Sequence, residues 1–361
     1  MTNKPQAHRP GVLLINFGGP TGPEELEPFL RELFDDVLPL PRWIRGFVGA
    51  RIAASRSRKV LDAYTQIGWS PLVADSLAET DRVRQGLGGA VPVAAGMLYT
   101  APTVHTALTD LLGHDIDALI AIGLFPHYSM YTTGSAFARV DQTLSALDVD
   151  LPVHFVPAYY DHPDYLEALV DTVAEAVEGL DGQGPIHLLF SPHGIPVAGL
   201  RRGDPYPEHI RETCRRVVAM LQWQQPWSVG WQSRVGPTRW LGPSTLDAIA
   251  DIGRAGTTRL VVVPISFVGE HIETLDELDK EAAEHAHASG IEHYGRAAAV
   301  GGRPAFTRCL IDVAQRAIAD LTGYRCFRCL VPKPAAHRKQ KHCGDCKAAI
   351  PGYLGRHPDS P

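Results

Sequence analysis

The chain has 361 residues, which at about 100–200 residues per domain corresponds to two domains with room for a small appendage. Hydrophobic residues make up 45% and charged residues 20%, a composition typical of a well-packed globular protein. The formal net charge of −6 argues against a general nucleic-acid-binding protein, which usually carries a basic excess. The apolar runs are far shorter than the roughly 20 residues needed to span a bilayer, and the polar N-terminus lacks an apolar secretory core. We therefore expect a cytoplasmic protein.

Eight short apolar segments, bounded by glycine, proline or polar turns, are predicted to form buried β-strands. They are residues 11–17, 91–97, 117–124, 153–159, 185–191, 227–233, 259–266 and 291–300. Between them lie amphipathic segments that predict helices, at about 22–36, 73–87, 103–113, 133–147, 161–179, 206–223, 244–253, 270–288 and 304–322. Strands that are apolar on both faces are typical of parallel sheets covered by helices.

This alternation of strand and helix predicts an α/β fold of two similar doubly wound lobes, each with a four-stranded parallel sheet flanked by helices. We expect an N-terminal lobe at 1–180 and a C-terminal lobe at 181–303. A C-terminal helix at 304–323, which could pack on either lobe, and a cysteine-rich tail at 324–361 complete the chain.

Residues 34–60 of the first lobe mix apolar side chains such as Trp43 and Phe47 with several arginines. One interpretation is an ordinary helical hairpin packed on the sheet. The other is an apolar lip that rests on a membrane or admits a flat apolar ligand. Both interpretations remain open at this point.

Ligands of doubly wound folds bind beyond the carboxyl ends of the strands, so residues that directly follow the predicted strands are the candidates for a site. His193 follows strand 185–191 in the sequence FSPHGIP. After strand 259–266, Glu273, Glu277 and Glu281 recur every four residues and should line one helical face. That face is either a solvated acidic surface or a path for a divalent cation such as Fe²⁺, which carboxylate and imidazole groups bind well.

The segment WQSRVGPTRWLGPST at 231–245 follows a third strand of the second lobe and places Trp231, Trp240, Ser233 and Arg234 on the same rim. A tryptophan there is either part of the core or one wall of a site for a large planar ligand. In the first lobe, the turn NFGGP at 16–20 lacks the full GxGxxG pattern, so a dinucleotide site is poorly supported.

Four cysteines of the tail are arranged as Cys326-x2-Cys329-x13-Cys343-x2-Cys346. Four thiolates at this spacing are typical of a metal site, either tetrahedral zinc or an iron–sulfur cluster. The spacing alone favours zinc, because it is similar to that of a zinc ribbon, and a redox dithiol is the remaining alternative. Cys214 and Cys309 lie elsewhere and are expected to be ordinary buried thiols.

Taken together, six motifs closely resemble those of the ferrochelatase family, whose members insert ferrous iron into a porphyrin. The motifs are LINFGGP, QIGWSPL, PHYSMYTTGS, FSPHGIP, WQSRVGPTRWLGP and PISFVGEHIETLDELD, and the resemblance spans about residues 11–323. It implies two Rossmann-like lobes around a porphyrin cleft and a lyase of late heme biosynthesis, with porphyrin and Fe²⁺ as partners. It also favours the lip interpretation of residues 34–60, with peripheral contact on the inner face of the membrane.

The resemblance also implies roles for individual residues. His193 and Glu273 would be the catalytic pair that binds iron, and Glu277 and Glu281 would deliver ions or relay protons. The implied porphyrin-binding residues are Phe17, Arg56, Tyr64, Ser70, Tyr99 and Trp240.

Some members of the family carry a [2Fe–2S] cluster, held by three cysteines of a C-terminal extension and one in the SxTTGS region. This chain has Met130 at that internal position. The resemblance therefore favours a [2Fe–2S] cluster ligated by Cys326, Cys329, Cys343 and Cys346 alone, with zinc as the alternative.

Two other functions fit parts of the same pattern. A tetrapyrrole or metal carrier without turnover could also clamp its ligand between two lobes, and a related chelatase could act on another tetrapyrrole such as sirohydrochlorin. Within the ferrochelatase interpretation the substrate is either protoporphyrin or coproporphyrin, and an apolar lip favours the apolar vinyl edge of protoporphyrin.

Overall fold

A computed structural model describes residues 8–38, 42–233 and 238–321 of the chain. Its strands are β1 (Pro10–Asn16), β2 (Val93–Met97), β3 (Ala118–Gly123), β4 (Val153–Val156), β5 (His187–Phe190), β6 (Trp227–Val229), β7 (Arg259–Val263) and β8 (His293–Arg296). Its helices are α1 (Pro23–Val37), α2 (Arg42–Gln66), α3 (Leu72–Gly86), α4 (Val104–Leu112), α5 (Thr133–Ala146), α6 (Pro163–Glu178), α7 (Val197–Arg201), α8 (Tyr206–Met220), α9 (Thr245–Arg254), a π-helix (Glu273–Ala282), α10 (Ala283–Ala288) and α11 (Pro304–Ala319).

The strands form two parallel sheets with the same topology. The first has the order β2-β1-β3-β4 and the second the order β6-β5-β7-β8. All eight predicted strands are present, and the repeated order makes the two halves similar lobes. This confirms the predicted α/β fold with two four-stranded parallel sheets.

The central strands β1 and β3 are buried almost along their whole length because helices cover both faces of the sheet, whereas the edge strand β8 is half-buried and largely polar. Val12, Leu13, Leu14 and Ile15 of β1 are all fully buried. One hydrophobic cluster joins residues of both sheets with α6, α8 and α11, so the two lobes share a continuous core. Helix α11 packs against α6 and α3 of the first half, which answers the question of which lobe the last helix joins.

Two elements differ from the sequence-based expectation. The predicted helix at 270–288 begins as a π-helix at Glu273 and continues as α10 only from Ala283. The short helix α7 lies in the polar stretch after His193, where no helix was predicted. A π-helix was missed because i→i+5 hydrogen bonding leaves almost the same pattern of polar and apolar residues as an α-helix.

The region at 34–60 forms the end of α1 and most of α2, and these two helices pack against each other. Gly49 and Ala53 of α2 lie on the buried side, where Gly49 approaches Phe34. On the opposite side Trp43 is 85% exposed and Phe47 is 70% exposed. None of the described helices is both long and apolar enough to cross a membrane.

A buried polar network joins the loop after β3 to the region of α8. His127 Nε2 lies 3.0 Å from Thr213 Oγ1, and the backbone N–H of Tyr128 donates to His209 Nδ1 at 3.3 Å. Asp204 Oδ2 accepts from Ser129 Oγ and from the backbone N–H of Met130, each at 2.9 Å. Because these donors and acceptors belong to different lobes, the network fixes the lobes relative to each other on this side of the molecule.

Acid should weaken this network. Burial lowers the pKa of His209 to about 4 and lowers that of His127 well below its usual value. A histidine whose pKa is depressed in the folded state stabilises the fold above the unfolded value near 6.5 and loses that contribution as the pH falls toward the folded value. His209 should account for about 3 kcal/mol of lost unfolding free energy between pH 7 and pH 4.

Urea unfolding at pH 7.5, 6.0 and 5.0 measures this loss. The matched variant His209→Asn keeps a short acceptor for the Tyr128 N–H but cannot titrate, so its stability should decline less over the same range. An identical decline in both proteins would show that His209 is not responsible.

Candidate active site

His193 lies just beyond the carboxyl end of β5, where two hydrogen bonds position it. Its backbone N–H donates to Ser266 Oγ at 3.0 Å, in the loop after β7. Its ring Nδ1 lies 2.6 Å from the carbonyl oxygen of Gly194. A carbonyl oxygen only accepts hydrogen bonds, so this contact assigns a proton to Nδ1. Nε2 is therefore the ring atom left to exchange a proton or to bind a metal.

Glu273, the first residue of the π-helix, meets His193 at Nε2. Its Oε1 lies 3.3 Å from His193 Nε2, and its Oε2 lies 2.9 Å from His271 Nε2. His271 is held by Thr274, whose Oγ1 accepts from the His271 backbone N–H at 3.0 Å. The carboxylate thus lies between two imidazoles from the loops after β5 and β7.

The pKa values of this pair move in opposite directions. Burial lowers the pKa of His193, but the negative charge and hydrogen bond of Glu273 outweigh this and raise it to about 9. Burial raises the pKa of Glu273, yet the charge of His193 and hydrogen bonds from His193 and His271 hold it well below its usual range. At neutral pH the pair is therefore an imidazolium beside a carboxylate, with one proton held at Nε2.

Glu277 follows one turn after Glu273 on the π-helix. Its Oε2 accepts a hydrogen bond from Ser233 Oγ at 3.0 Å. Burial and the charge of Glu273 raise the pKa of Glu277 to about 7, although the Ser233 hydrogen bond opposes the rise. Glu273 and Glu277 are half-buried whereas Glu281 is exposed. The three predicted carboxylates thus form an acidic row, Glu273–Glu277–Glu281, that runs from His193 to the solvent.

Aromatic side chains flank His193. The ring centroids of Trp240 and Phe267 lie 6.3 Å and 6.2 Å from that of His193, both edge-on. Phe267 also packs on His271, with centroids 4.4 Å apart. The structure therefore brings the predicted Trp240 next to His193.

The C-terminal half of α2 lies near the π-helix. Burial raises the pKa of Tyr64, and nearby Glu273 raises it further while Arg56 opposes the rise. Lys280 Nζ donates to Gln66 Oε1 at 3.0 Å and so connects the π-helix to α2 directly. The buried Tyr64 accordingly lies near the inner end of the acidic row, and Arg56 is exposed on the same helix.

The remaining predicted porphyrin-binding residues gather around the NFGGP turn of the first lobe. Phe17 stacks on Tyr99 with ring centroids 5.6 Å apart, and the Tyr99 hydroxyl donates to Asp36 Oδ2 at 2.7 Å. The Ser70 backbone N–H donates to the carbonyl oxygen of Pro20 at 3.1 Å. Tyr99 and Ser70 are both buried, and the contacts found for these three residues are with the first lobe rather than with His193.

Several residues of this site were not predicted as functional. His271, Phe267 and Ser266 all lie in the motif PISFVGEHIETLDELD, from which only glutamates were predicted as site residues. The spacing of His271 and Glu273, two residues apart in sequence, was the available signal. In the described part of the chain, no three His, Cys, Asp or Glu side chains are grouped as ligands of a bound ion.

Other predicted residues lie outside the part that the structure describes. These are Arg234 and the tail cysteines Cys326, Cys329, Cys343 and Cys346. Cys214 and Cys309 are within it, and both are free and buried as expected.

The two-lobed fold, with a histidine and a row of carboxylates beyond the carboxyl ends of β5 and β7, has the architecture of the chelatase class of proteins. A model of the ferrochelatase family matches residues 9–318. The curated ferrochelatase of Geotalea uraniireducens is 36% identical over 313 residues, which cover 86% of this chain and 98% of the relative. That of Synechococcus elongatus is 38% identical over 322 residues, covering 86% of this chain and 83% of the relative. The chain therefore belongs to the ferrochelatase family.

A solved structure with the same fold is SirB from Bacillus subtilis, determined with Fe³⁺. It superposes with a TM-score of 0.52 at 9% identity and covers 88% of this chain and 99% of that one. At this level of identity the similarity supports the chelatase-type fold alone.

Proposed function

We propose that this chain inserts Fe²⁺ into a porphyrin held in the cleft beside His193, as a step of heme biosynthesis. The observation that carries the proposal is the contact of 3.3 Å between His193 Nε2 and Glu273 Oε1 at the inner end of the acidic row. Insertion replaces two pyrrole protons by one Fe²⁺, so the site must both attract a cation and remove protons. A histidine paired with a row of carboxylates provides both functions.

The catalytic roles follow from the proton positions. The negative charge of the acidic row attracts Fe²⁺, and the arriving dication lowers the proton affinity of the His193–Glu273 pair. The proton at Nε2 can then leave through Glu277, whose pKa of about 7 suits transfer at neutral pH. Once neutral, His193 Nε2 and Glu273 can take the pyrrole protons, and the exposed Glu281 passes them to water.

The porphyrin is proposed to lie between the π-helix and α2. Trp240, next to His193, is proposed to form an aromatic wall of this site, and Tyr64 is proposed to contribute from α2. Arg56 is exposed at the cleft and suits a carboxylate on the porphyrin periphery. Phe17, Ser70 and Tyr99 are proposed to line the part of the cleft formed by the first lobe. The apolar side chains of the lip favour protoporphyrin over the more polar coproporphyrin.

Replacing His193 with Ala should lower kcat by at least about 100-fold, the usual scale for loss of a general acid–base, while the protein still binds porphyrin. The measurement is anaerobic turnover of Fe²⁺ with protoporphyrin and, separately, coproporphyrin, with porphyrin affinity from fluorescence quenching. His105→Ala, which changes an exposed histidine on α4, is the control and should retain full activity.

Full activity of the His193→Ala protein would refute the role of His193. A stoichiometric absorbance shift without turnover in the unaltered protein would identify a carrier instead of an enzyme. The porphyrin that is turned over faster is the substrate.

We also propose that the lip rests on the inner face of the membrane. Trp43 and Phe47 are the most exposed large apolar side chains among the described residues, and aromatic side chains next to cations are typical of interfacial helices. Arg51 lies over the Phe47 ring, with its guanidinium carbon 5.9 Å from the ring centroid.

The double variant Trp43→Ser with Phe47→Ser should lose vesicle binding, because serines contribute no apolar surface to the interface. Flotation with vesicles of anionic phospholipids measures the bound fraction. Met220→Ser, which removes an exposed apolar side chain on α8, is the matched control and should still float. Equal flotation of all three proteins would contradict this proposal.

For the tail we propose a [2Fe–2S] cluster ligated by Cys326, Cys329, Cys343 and Cys346. The support is the CxxC–x13–CxxC spacing and the donor chemistry, since four thiolates complete the ligand set of such a cluster. A bound cluster would supply one-electron redox chemistry at the tail, and no step of iron insertion depends on it here.

Purified protein should be red-brown, with two irons and two sulfides per chain, and Cys343→Ser should lose the colour. Elemental analysis and visible absorption measure both properties, and Cys309→Ser, at a buried thiol in α11, is the control that should keep the colour. A colourless protein with one zinc per chain would contradict the cluster and identify the tail as a zinc site.

A further inference from the structure

We infer that Ser233 is a positioning residue that holds the Glu277 carboxylate in line with Glu273 for metal entry. The inference rests on the proposed function of the acidic row. Its basis is the hydrogen bond of 3.0 Å from Ser233 Oγ to Glu277 Oε2, which joins the segment after β6 to the π-helix.

The backbone of Ser233 is unusual. Its φ angle is +59°, in the left-handed region that glycine occupies readily and other residues adopt at a cost of about 1 kcal/mol or more. Such a conformation persists only where the surroundings enforce it, and it is concentrated at functional sites. In this conformation the Ser233 hydroxyl donates to Glu277, a contact that a glycine could not make.

The hydrogen bonds of the neighbouring Gln232 hold Ser233 in this left-handed conformation. Its backbone N–H donates to the carbonyl oxygen of Pro192 at 3.0 Å, and its own carbonyl accepts from the Gly194 N–H at 2.8 Å. Its buried side chain accepts from Ser191 Oγ at 2.9 Å and donates to the carbonyl oxygen of Glu273 at 3.4 Å. The residue before Ser233 is thus tied to both sides of His193 and to the start of the π-helix.

A hydroxyl is well suited to this position because it stabilises a carboxylate without adding positive charge. Glu277 is half-buried next to the charged Glu273, so its carboxylate needs a hydrogen-bond donor. A lysine or arginine would provide one but would neutralise the row and repel an incoming dication. Lys280, the cation of the π-helix, has its Nζ 3.3 Å from Asp276 Oδ1 and 3.0 Å from Gln66 Oε1.

The test uses Ser233→Gly and Ser233→Ala in the full-length protein. Both remove the hydroxyl, and glycine also removes the left-handed strain. The KM for Fe²⁺ should rise roughly ten-fold in both, the effect of losing one hydrogen bond to a charged group. The KM for porphyrin should not change. Co²⁺ binding to the porphyrin-free protein, measured by calorimetry, should weaken by a similar factor.

The thermal stability of Ser233→Gly should not fall, although its metal affinity should. Ser233→Gly should melt at the same temperature as the unaltered protein or higher, because glycine suits a positive φ. The matched control is Gln222→Gly, at an exposed residue after α8 with a φ of +51°. Gln222→Gly should also be at least as stable as the unaltered protein, and both of its KM values and its Co²⁺ affinity should be unchanged.

Unchanged Co²⁺ affinity and KM for Fe²⁺ in the Ser233→Gly protein would overturn the inference. So would an equal rise in the KM for porphyrin, which would place Ser233 in the porphyrin site instead. Absence of turnover in the unaltered protein would refute the proposed function, and the Co²⁺ measurements would then decide the role of Ser233 separately.

Discussion

The contact between His193 and Glu273 depends on one feature of the second sheet, the pairing of β5 with β7. These strands are hydrogen-bonded neighbours in parallel, with Phe190 aligned with Val263, so both end at the same edge of the sheet. His193 leaves this edge from β5, while Ser266, His271 and Glu273 follow β7. A sheet in which another strand separated β5 and β7 would move these groups apart by a strand spacing of about 4.8 Å.

Three glutamates in one row would repel each other in a uniform environment, and each is stabilised here in a different way. Two imidazoles contact Glu273, the Ser233 hydroxyl donates to Glu277, and water surrounds the exposed Glu281. The compensating positive charge is thus concentrated at the inner end of the row. This arrangement leaves the outer carboxylates available to a cation that arrives from the solvent.

The strands could be predicted from the sequence because parallel strands buried on both faces are continuous apolar runs, and β1 is a clear example. His193 could be predicted because it follows such a run directly. The π-helix could not, since Glu273, Glu277 and Glu281 have a spacing that also fits an α-helix. His271 was missed because its role arises from a tertiary contact with Glu273. The bond between Tyr99 and Asp36, 63 residues apart, likewise has no signature in the sequence.

The two sides of the cleft are held together by different means. On one side, buried hydrogen bonds from His209 and Asp204 to the loop after β3 join the lobes. On the other side, the contact between the π-helix and α2 includes the exposed Lys280–Gln66 bond. A buried hydrogen bond is costly to break because the separated groups have no water to bond with. Exposed groups are readily solvated when their bond breaks. The buried network therefore contributes more than the Lys280–Gln66 bond to holding the second lobe, with His193 and the acidic row, in register with the first.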